Sequence, residues 1–397
     1  MPLLDRIESF EKLDVASRRV FVRIDADVPL ADGRVSDDSK LRESLPTLKH
    51  LLAAGARVIV AGHIGKQKKD SKKSSTSIEP VAAQLAALLS QDVVLADECV
   101  GDGVRKVVHD LRDGRVAMLE NLRMHEGEDA DDEVFARDIA KFVDVYVNDS
   151  LRASLQKSAS VHTLAKVIVT RAAGACLRRE LEAMDRWIDR AERPSVAVIG
   201  GGRVESKLLL LESLLGRVDE VLLGGAVANT VLVALGKKLG KSSIDPNKLA
   251  AARDWFARAK ERGVDVHLPV DLVAAPATDA KEGRVSSVDG FASDAMALDV
   301  GPDTLEAYRQ RLMRSKTVLW DGPMGFAENP VFFAGTAVIG RAIVDAAGYS
   351  LAVGDDTAAA AYKSGLGVRL SHVSRGGPAA IELIEGRTLP GVEALRT

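Results

Sequence analysis

Cysteine is nearly missing from this chain: Cys99 and Cys176 are the two it has in 397 residues. Two are too few for a disulfide framework or a cysteine-based zinc site, and they fit a reducing compartment. Charge of one sign is also missing. A formal net charge of -3 leaves no global field to gather nucleic acid or an anionic membrane, so any affinity for anions must come from a local patch. No apolar run reaches the ~18 residues that a membrane helix needs. The opening stretch, MPLLDRIESFEKLD, is acidic and amphipathic and carries no apolar signal core. A cytoplasmic protein is the expectation. With 46% apolar and 28% charged residues, the chain has a globular balance, and its length suggests two domains.

What is present is a rhythm. RRVFVRID, ARVIVAGHIG, RVAMLENLR and FVDVYVND alternate with helical patterns in the first half. SVAVIGGG, VDEVLLGG, DVHLPVDLVAA, TVLWDGP and YSLAVGDD do so in the second. Strands spaced by helices imply βαβ units and parallel sheets. The fold class expected is α/β, with two doubly wound, Rossmann-like parallel-sheet domains. Residues 1–170 form the first and 171–385 the second, with a helix over 172–191 joining them and 386–397 as a tail. GKQKKDSKKSSTS is expected to be a solvated basic loop.

Polar and glycine clusters stand at the C-terminal ends of these strands, where open α/β sheets bind ligands. Two such sheets would provide two half-sites facing one another across a cleft. In the first half the clusters are cationic: Arg23 with Asp25, His63 with Lys66, and Arg123, joined by Lys40 near the start of the first helix. Arginine offers a planar fork suited to phosphate and carboxylate, so these residues would form a cup for a small polyanion. The alternative is that each is paired separately with acids such as Asp25, Glu120 and Glu126.

The second half has glycines instead. VAVIGGGRVESK turns from a strand through Gly201 and Gly202 into a helix carrying Arg203 and Lys207. It matches neither the P-loop nor the dinucleotide fingerprint, yet a helix N-terminus with two cations one turn apart suits phosphate. The bland alternative is a tight turn with two solvated cations. Gly224 and Gly225 offer a flat surface for a planar base, and Glu328 could accept from a ribose hydroxyl. Asp356, with Asp355 and Thr357 after Gly354, is placed to cap a helix or to hold Mg2+.

These motifs, in this order and over essentially the whole chain, resemble the phosphoglycerate kinase family. RIDADVPLADGRVSDD, LENLRMHEGE, DVYVNDS, IGGGRVESK, WDGPMG, SHVSRGG and LPGVEAL carry the likeness. The resemblance implies a first domain that binds 3-phosphoglycerate, a second that binds MgATP or MgADP, a hinge helix between them and a monomer. It assigns Arg23, Lys207, Gly376 and Gly377 to the transferring phosphoryl group. It gives the substrate positions to Arg23, Asp25, Asp27, Lys40, His63, Lys66, Arg123 and Gln156, and the nucleotide to Gly201, Gly202, Arg203, Lys207, Gly224, Gly225, Glu328, Gly354, Asp355, Asp356 and Thr357, with Asp356 on the metal.

The chain departs from the family's pattern at the site. Lys40 and Lys66 stand for arginines. Leu155, Gln156 and Ser158 stand where His, a substrate-binding Arg and His are expected, and Asp27 stands for an Asn that faces the substrate. Asp27 is expected to repel a substrate that already carries a carboxylate and a phosphate. On the nucleotide side Arg203 replaces a Lys and Asp321 an Asn. Val353, Asp355 and Pro378 replace glycines, and Arg375 replaces a Thr. Arg152, Lys157 and Arg375 are new cations near the lost ones. Three readings follow: a phosphoglycerate kinase, an ATP-dependent kinase of another carboxylate, and a catalytically silent nucleotide-binding relative.

Overall fold

The structure is a computed structural model that describes residues 2–65 and 76–397. Lys66 and most of the basic serine-rich stretch lie outside the described residues. The chain divides into two compact units, one running to Glu182 and including Thr388–Thr397, the other covering Ala183–Arg387.

The first unit holds β1 (Arg19–Arg23), the small antiparallel pair β2 (Leu30–Ala31) and β3 (Arg34–Val35), β4 (Arg57–Ala61), β5 (Val93–Leu95), β6 (Val116–Met118), β7 (Val145–Asn148) and β8 (Arg171–Ala173). Six of these pair in parallel in the order β5-β6-β4-β1-β7-β8. RVFVR, RVIVA and VYVN are near-continuous apolar runs because both faces of a parallel sheet are covered. Val22, Val58, Val60, Val116 and Val147 form the core with Leu41 and Leu48 of the Ser39–Ala53 helix. Strand order reverses at β1, which lies between β4 and β7, so the carboxyl ends of these three strands define the crevice.

The second unit repeats the plan with β9 (Ser195–Ile199), β10 (Glu220–Leu223), β11 (Asp265–His267), β15 (Thr317–Asp321), β16 (Tyr349–Val353) and β17 (His372–Val373), all parallel, in the order β11-β10-β9-β15-β16-β17. A second, three-stranded antiparallel sheet is built from β12 (Asp271–Ala275), β13 (Arg284–Ser287) and β14 (Met296–Val300). It differs from the single strand expected over DVHLPVDLVAA. Pro269 lies between β11 and β12, and a residue without an N–H cannot continue a ladder.

The helix expected over 172–191 runs from Ala175 to Arg190. It starts later because Arg171–Ala173 complete the first sheet as β8. At Gly174 a Cβ would run into the Asp149 carboxylate, so the chain turns there through the residue that has none. The division between units falls inside this helix rather than near 170. Among the described residues, no helix is long and apolar enough to cross a membrane.

Candidate active site

In the first unit the cup is built around Arg23, the last residue of β1. Its side chain is 1% exposed and fully engaged: Nε donates to Ser160 Oγ at 3.0 Å, Nη1 to the Ile24 carbonyl at 2.5 Å, and Nη2 lies 2.7 Å from His63 Nδ1. Burial works against the guanidinium charge, and the buried Glu128 supports it. Glu128 also accepts from Ser160 N at 3.0 Å and from Ser160 Oγ at 2.6 Å, closing a chain from Glu128 through Ser160 to Arg23.

His63 follows β4. Burial holds its imidazole well below the ordinary range, and Arg23, Arg123, Lys40 and Arg152 push it lower still. Four cations therefore act on one neutral imidazole. Asn121 fixes the loops that carry it: its Oδ1 accepts from Ile64 N at 3.3 Å and Arg123 N at 3.1 Å, and its Nδ2 donates to the Ile64 carbonyl at 3.0 Å. Arg123 Nη1 donates to the Gly65 carbonyl at 3.0 Å, and its Nε lies 3.5 Å from Asp129.

Separate pairing with acids is thus partly realised, with other partners. Glu120 accepts from Ser77 Oγ, Ile78 N and Asn121 N, so it braces the loop rather than a cation. Asp129, and not Glu126, faces Arg123. Asp25 Oδ2 lies 3.3 Å from Lys40 Nζ and 3.3 Å from Arg152 Nε, so one carboxylate holds two cations together. Asp27 does not stand free to repel a substrate with both oxygens: its Oδ1 accepts from Gly65 N at 3.0 Å and its carbonyl from Lys40 Nζ at 2.7 Å. Gln156 is exposed and extended after the Ala153–Leu155 turn. Lys66 lies outside the described residues.

In the second unit, the Gly200–Gly202 turn leaves β9 and enters the Val204–Leu214 helix. Gly201, Gly225 and Gly354 have positive φ values of 86°, 59° and 87°, which favour glycine. The amides of Gly201 and Gly225 are already engaged, donating to the Pro323 and Met324 carbonyls at 2.8 and 2.9 Å. Neither amide is free to take an anion. Their contribution is the missing side chain: a Cβ on Gly225 would lie 2.7 Å from Gly201 N, and one on Gly224 would lie 2.7 Å from Met324 Sδ.

Two cavities meet at this turn. The larger, about 650 Å³, is lined by Gly201, Gly202, Gly225, Glu328 and Asp356 on its polar side and by Leu272, Met296, Leu298, Phe326 and Phe333 on its apolar side. That size and mixture suit a flat heterocycle with a polar tail. The smaller niche joins Gly201, Gly202, Arg203, Lys207, Asp321, Gly354, Asp356 and Thr357. Thr357 Oγ1 accepts from Gly322 N at 2.7 Å, fixing the β15 turn against the next helix. Asp355 and Asp356 are exposed in the first turn of the Asp355–Lys363 helix. Gly376 and Gly377 are buried and not among the residues lining the niche; Gly376 N donates to Ser374 Oγ at 3.1 Å.

The lost glycines are accommodated. Neither Val353 nor Asp355 has a positive φ, since Gly354 alone makes the turn. Pro378 occupies the first position of the Pro378–Ile384 helix, where a missing N–H costs no intrahelical bond. Sequence reasoning missed Asp299, Phe333 and Lys363 in the larger cavity. Lys363 Nζ sits 4.5 Å above the Phe333 ring and donates to the Ala327 carbonyl at 3.0 Å. No motif in the sequence sets Asp299 and Lys363 apart.

The family model described as phosphoglycerate kinase matches residues 10–387. The phosphoglycerate kinase of Anaeromyxobacter dehalogenans (strain 2CP-C) is 43% identical over 391 residues, covering 98% of this chain and 99% of that protein. That of Desulfosudis oleivorans is 41% identical, covering 98% of each. Among solved structures, phosphoglycerate kinase from Coxiella burnetii superposes with a TM-score of 0.88 at 31% identity, covering 98% of each chain.

Proposed function

The chain belongs to the phosphoglycerate kinase family, and we propose that the unit running to Glu182 takes 3-phosphoglycerate while Ala183–Arg387 takes the nucleotide. The activity is transfer of a phosphoryl group between a nucleotide and a carboxyl group: 3-phosphoglycerate and ATP give 1,3-bisphosphoglycerate and ADP. A carboxylate oxygen forms a bond to the γ-phosphorus as the bond from that phosphorus to the β–γ bridging oxygen breaks. No proton changes hands. Such a transfer asks for alignment and charge stabilisation, not for a covalent partner on the protein.

Arg23, Lys40, Arg123 and Arg152 supply the positive field for the phosphate and carboxylate of the substrate. His63 stays neutral among them and holds Arg23 in register through its Nδ1. Lys207 is the cation for the transferring group, and Gly201, Gly202 and Gly225 form a wall without side chains against which the nucleotide lies. An exposed carboxylate beside a phosphate niche fits Mg2+, which takes a carboxylate together with phosphate oxygens and water. Asp356 would hold that ion, and the ion would neutralise the β- and γ-phosphate oxygens. Both half-sites come from one chain, which supports a monomer, and the enzyme would work in the cytoplasm.

The observation that carries the substrate assignment is the cation cluster at the strand ends: Arg23 against His63, Lys40 and Arg152 on one Asp25 carboxylate, and Arg123 on the Gly65 carbonyl. Arg123→Ala tests it. The expected result is a rise of roughly tenfold or more in the KM for 3-phosphoglycerate, with the KM for MgATP unchanged, the size of one charge-assisted bond. An equal change in both would point away from the assignment.

A further inference from the structure

Each cation lining the small niche already has a carboxylate. Arg203 Nη2 lies 3.6 Å from Asp356 Oδ2, and both side chains are largely exposed. Lys207 Nζ lies 2.5 Å from Asp321 Oδ2, with side-chain exposures of only 7% and 2%. The first pair is in water and contributes little. The second is sealed, and separating it leaves a charge that solvent cannot reach.

Asp321 is fixed from several directions. It closes β15, in register with Ile199 of β9 on one side and Val353 of β16 on the other. Its carbonyl stands 3.5 Å from the same Lys207 Nζ. A Cβ on Gly354 would lie 2.8 Å from its Oδ1, so only a residue without a side chain fits beside this carboxylate. The free space in the niche is about 10 Å³, room for about one water molecule and none for a phosphoryl group. An incoming phosphate therefore competes with Asp321 for the Lys207 ammonium.

We infer that Asp321 is an internal competitor of the nucleotide: its ion pair with Lys207 closes the niche, and breaking that pair sets how tightly the phosphates bind. The inference rests on the reading of the niche as the phosphate site. Asp321 is a positioning residue, acting through Lys207 and not on the reacting atoms. Two consequences separate this role from a purely structural one. Removing the carboxylate costs stability in the free protein, because Lys207 is left buried and unpaired. The same change favours the nucleotide, because Lys207 then has the phosphate as its only anion. A structural role would lower stability and affinity together.

The test is calorimetric titration of ATP with excess Mg2+, without 3-phosphoglycerate, into the full chain and into D321N, K207M and the double variant, with a thermal melt of each. D321N is expected to melt below the parent when free, to bind MgATP about tenfold tighter, the size of a charged contact that no longer has to be broken, and to gain more in melting temperature from the ligand. K207M is expected to bind more weakly than the parent. The double variant should bind like K207M, since Asp321 acts only through Lys207. D321S, which also removes the charge, should behave as D321N and serves if the amide fails to fold. Binding no tighter in D321N and D321S while K207M is weakened overturns the inference and leaves the niche as the phosphate site. K207M binding as well as the parent overturns the niche reading itself.

Discussion

Arg23 Nη2 and His63 Nδ1 stand 2.7 Å apart, and because the guanidinium is the donor, the imidazole accepts through Nδ1 and carries its proton on Nε2. Burial and four surrounding cations keep it neutral. Its pKa is lowered, so its proton appears only well below the ordinary imidazole range, and activity between pH 6 and 8 should show no step from it. In Arg23→Ala the imidazole loses its nearest cation. Its NMR titration midpoint should move up, and kcat/KM should fall by roughly a hundredfold, the scale of removing one preorganised charge. An unmoved midpoint would separate the two residues.

Asp299 supplies a pH dependence of stability. Burial raises its carboxyl to about 7, against the pull of the Gly335 and Val300 amides that donate to it. An unfolded aspartate titrates near ~3.9. Between that value and 7 the unfolded chain gives up its proton while the folded protein keeps one, so stability falls as pH rises and levels off above 7. The slope from this group is at most ~1.4 kcal/mol per pH unit. Urea midpoints at pH 5 and pH 8 should differ less in Asp299→Asn than in the parent; equal differences would remove Asp299 as the source.

The last ten residues belong to the first unit. Leu389, Val392 and Leu395 are buried, and Arg396 ties the end to the start by donating to the Asp5 carbonyl at 2.8 Å. A Cβ on Gly391 would run into Val161 and come within 2.7 Å of Ser154 Cα. Gly391→Ala should therefore disturb the 150–160 segment that carries Arg152 and Ser160, costing about 1–3 kcal/mol as overpacking does. Turnover should drop with MgATP affinity nearly unchanged. A large loss of nucleotide binding would contradict this.

Gly225→Ala should do the reverse. Its φ of 59° and the 2.7 Å approach to Gly201 N leave no place for a methyl group. The KM for MgATP should rise severalfold while that for 3-phosphoglycerate holds. A change in the second alone would misplace the nucleotide wall.

Much of this site was legible before the structure, because parallel strands put their functional residues at one end and each motif carries its own residues there. Arg23, His63 and Arg123 follow from β1, β4 and β6, and the two-sheet plan follows from the strand rhythm. The Lys207–Asp321 pair was not legible. The two residues are 114 positions apart and meet only because β15 returns to pair with β9. Asp27 was read as a repelling carboxylate, yet a backbone amide from the next loop takes one of its oxygens. The engaged amides of Gly201 and Gly225 were hidden for the same reason: their acceptors, Pro323 and Met324, belong to a turn about a hundred residues away.

The most direct measurement is a coupled assay of the full chain with 3-phosphoglycerate and MgATP, following 1,3-bisphosphoglycerate through reduction by its dehydrogenase, alongside Lys207→Met. The expected result is turnover of about 1–100 per second or faster for the parent, the ordinary kinase range, and a loss of at least a hundredfold in the variant, the scale seen when one preorganised charge contact is removed. No turnover in a parent that still binds MgADP, or equal turnover in both proteins, would contradict it.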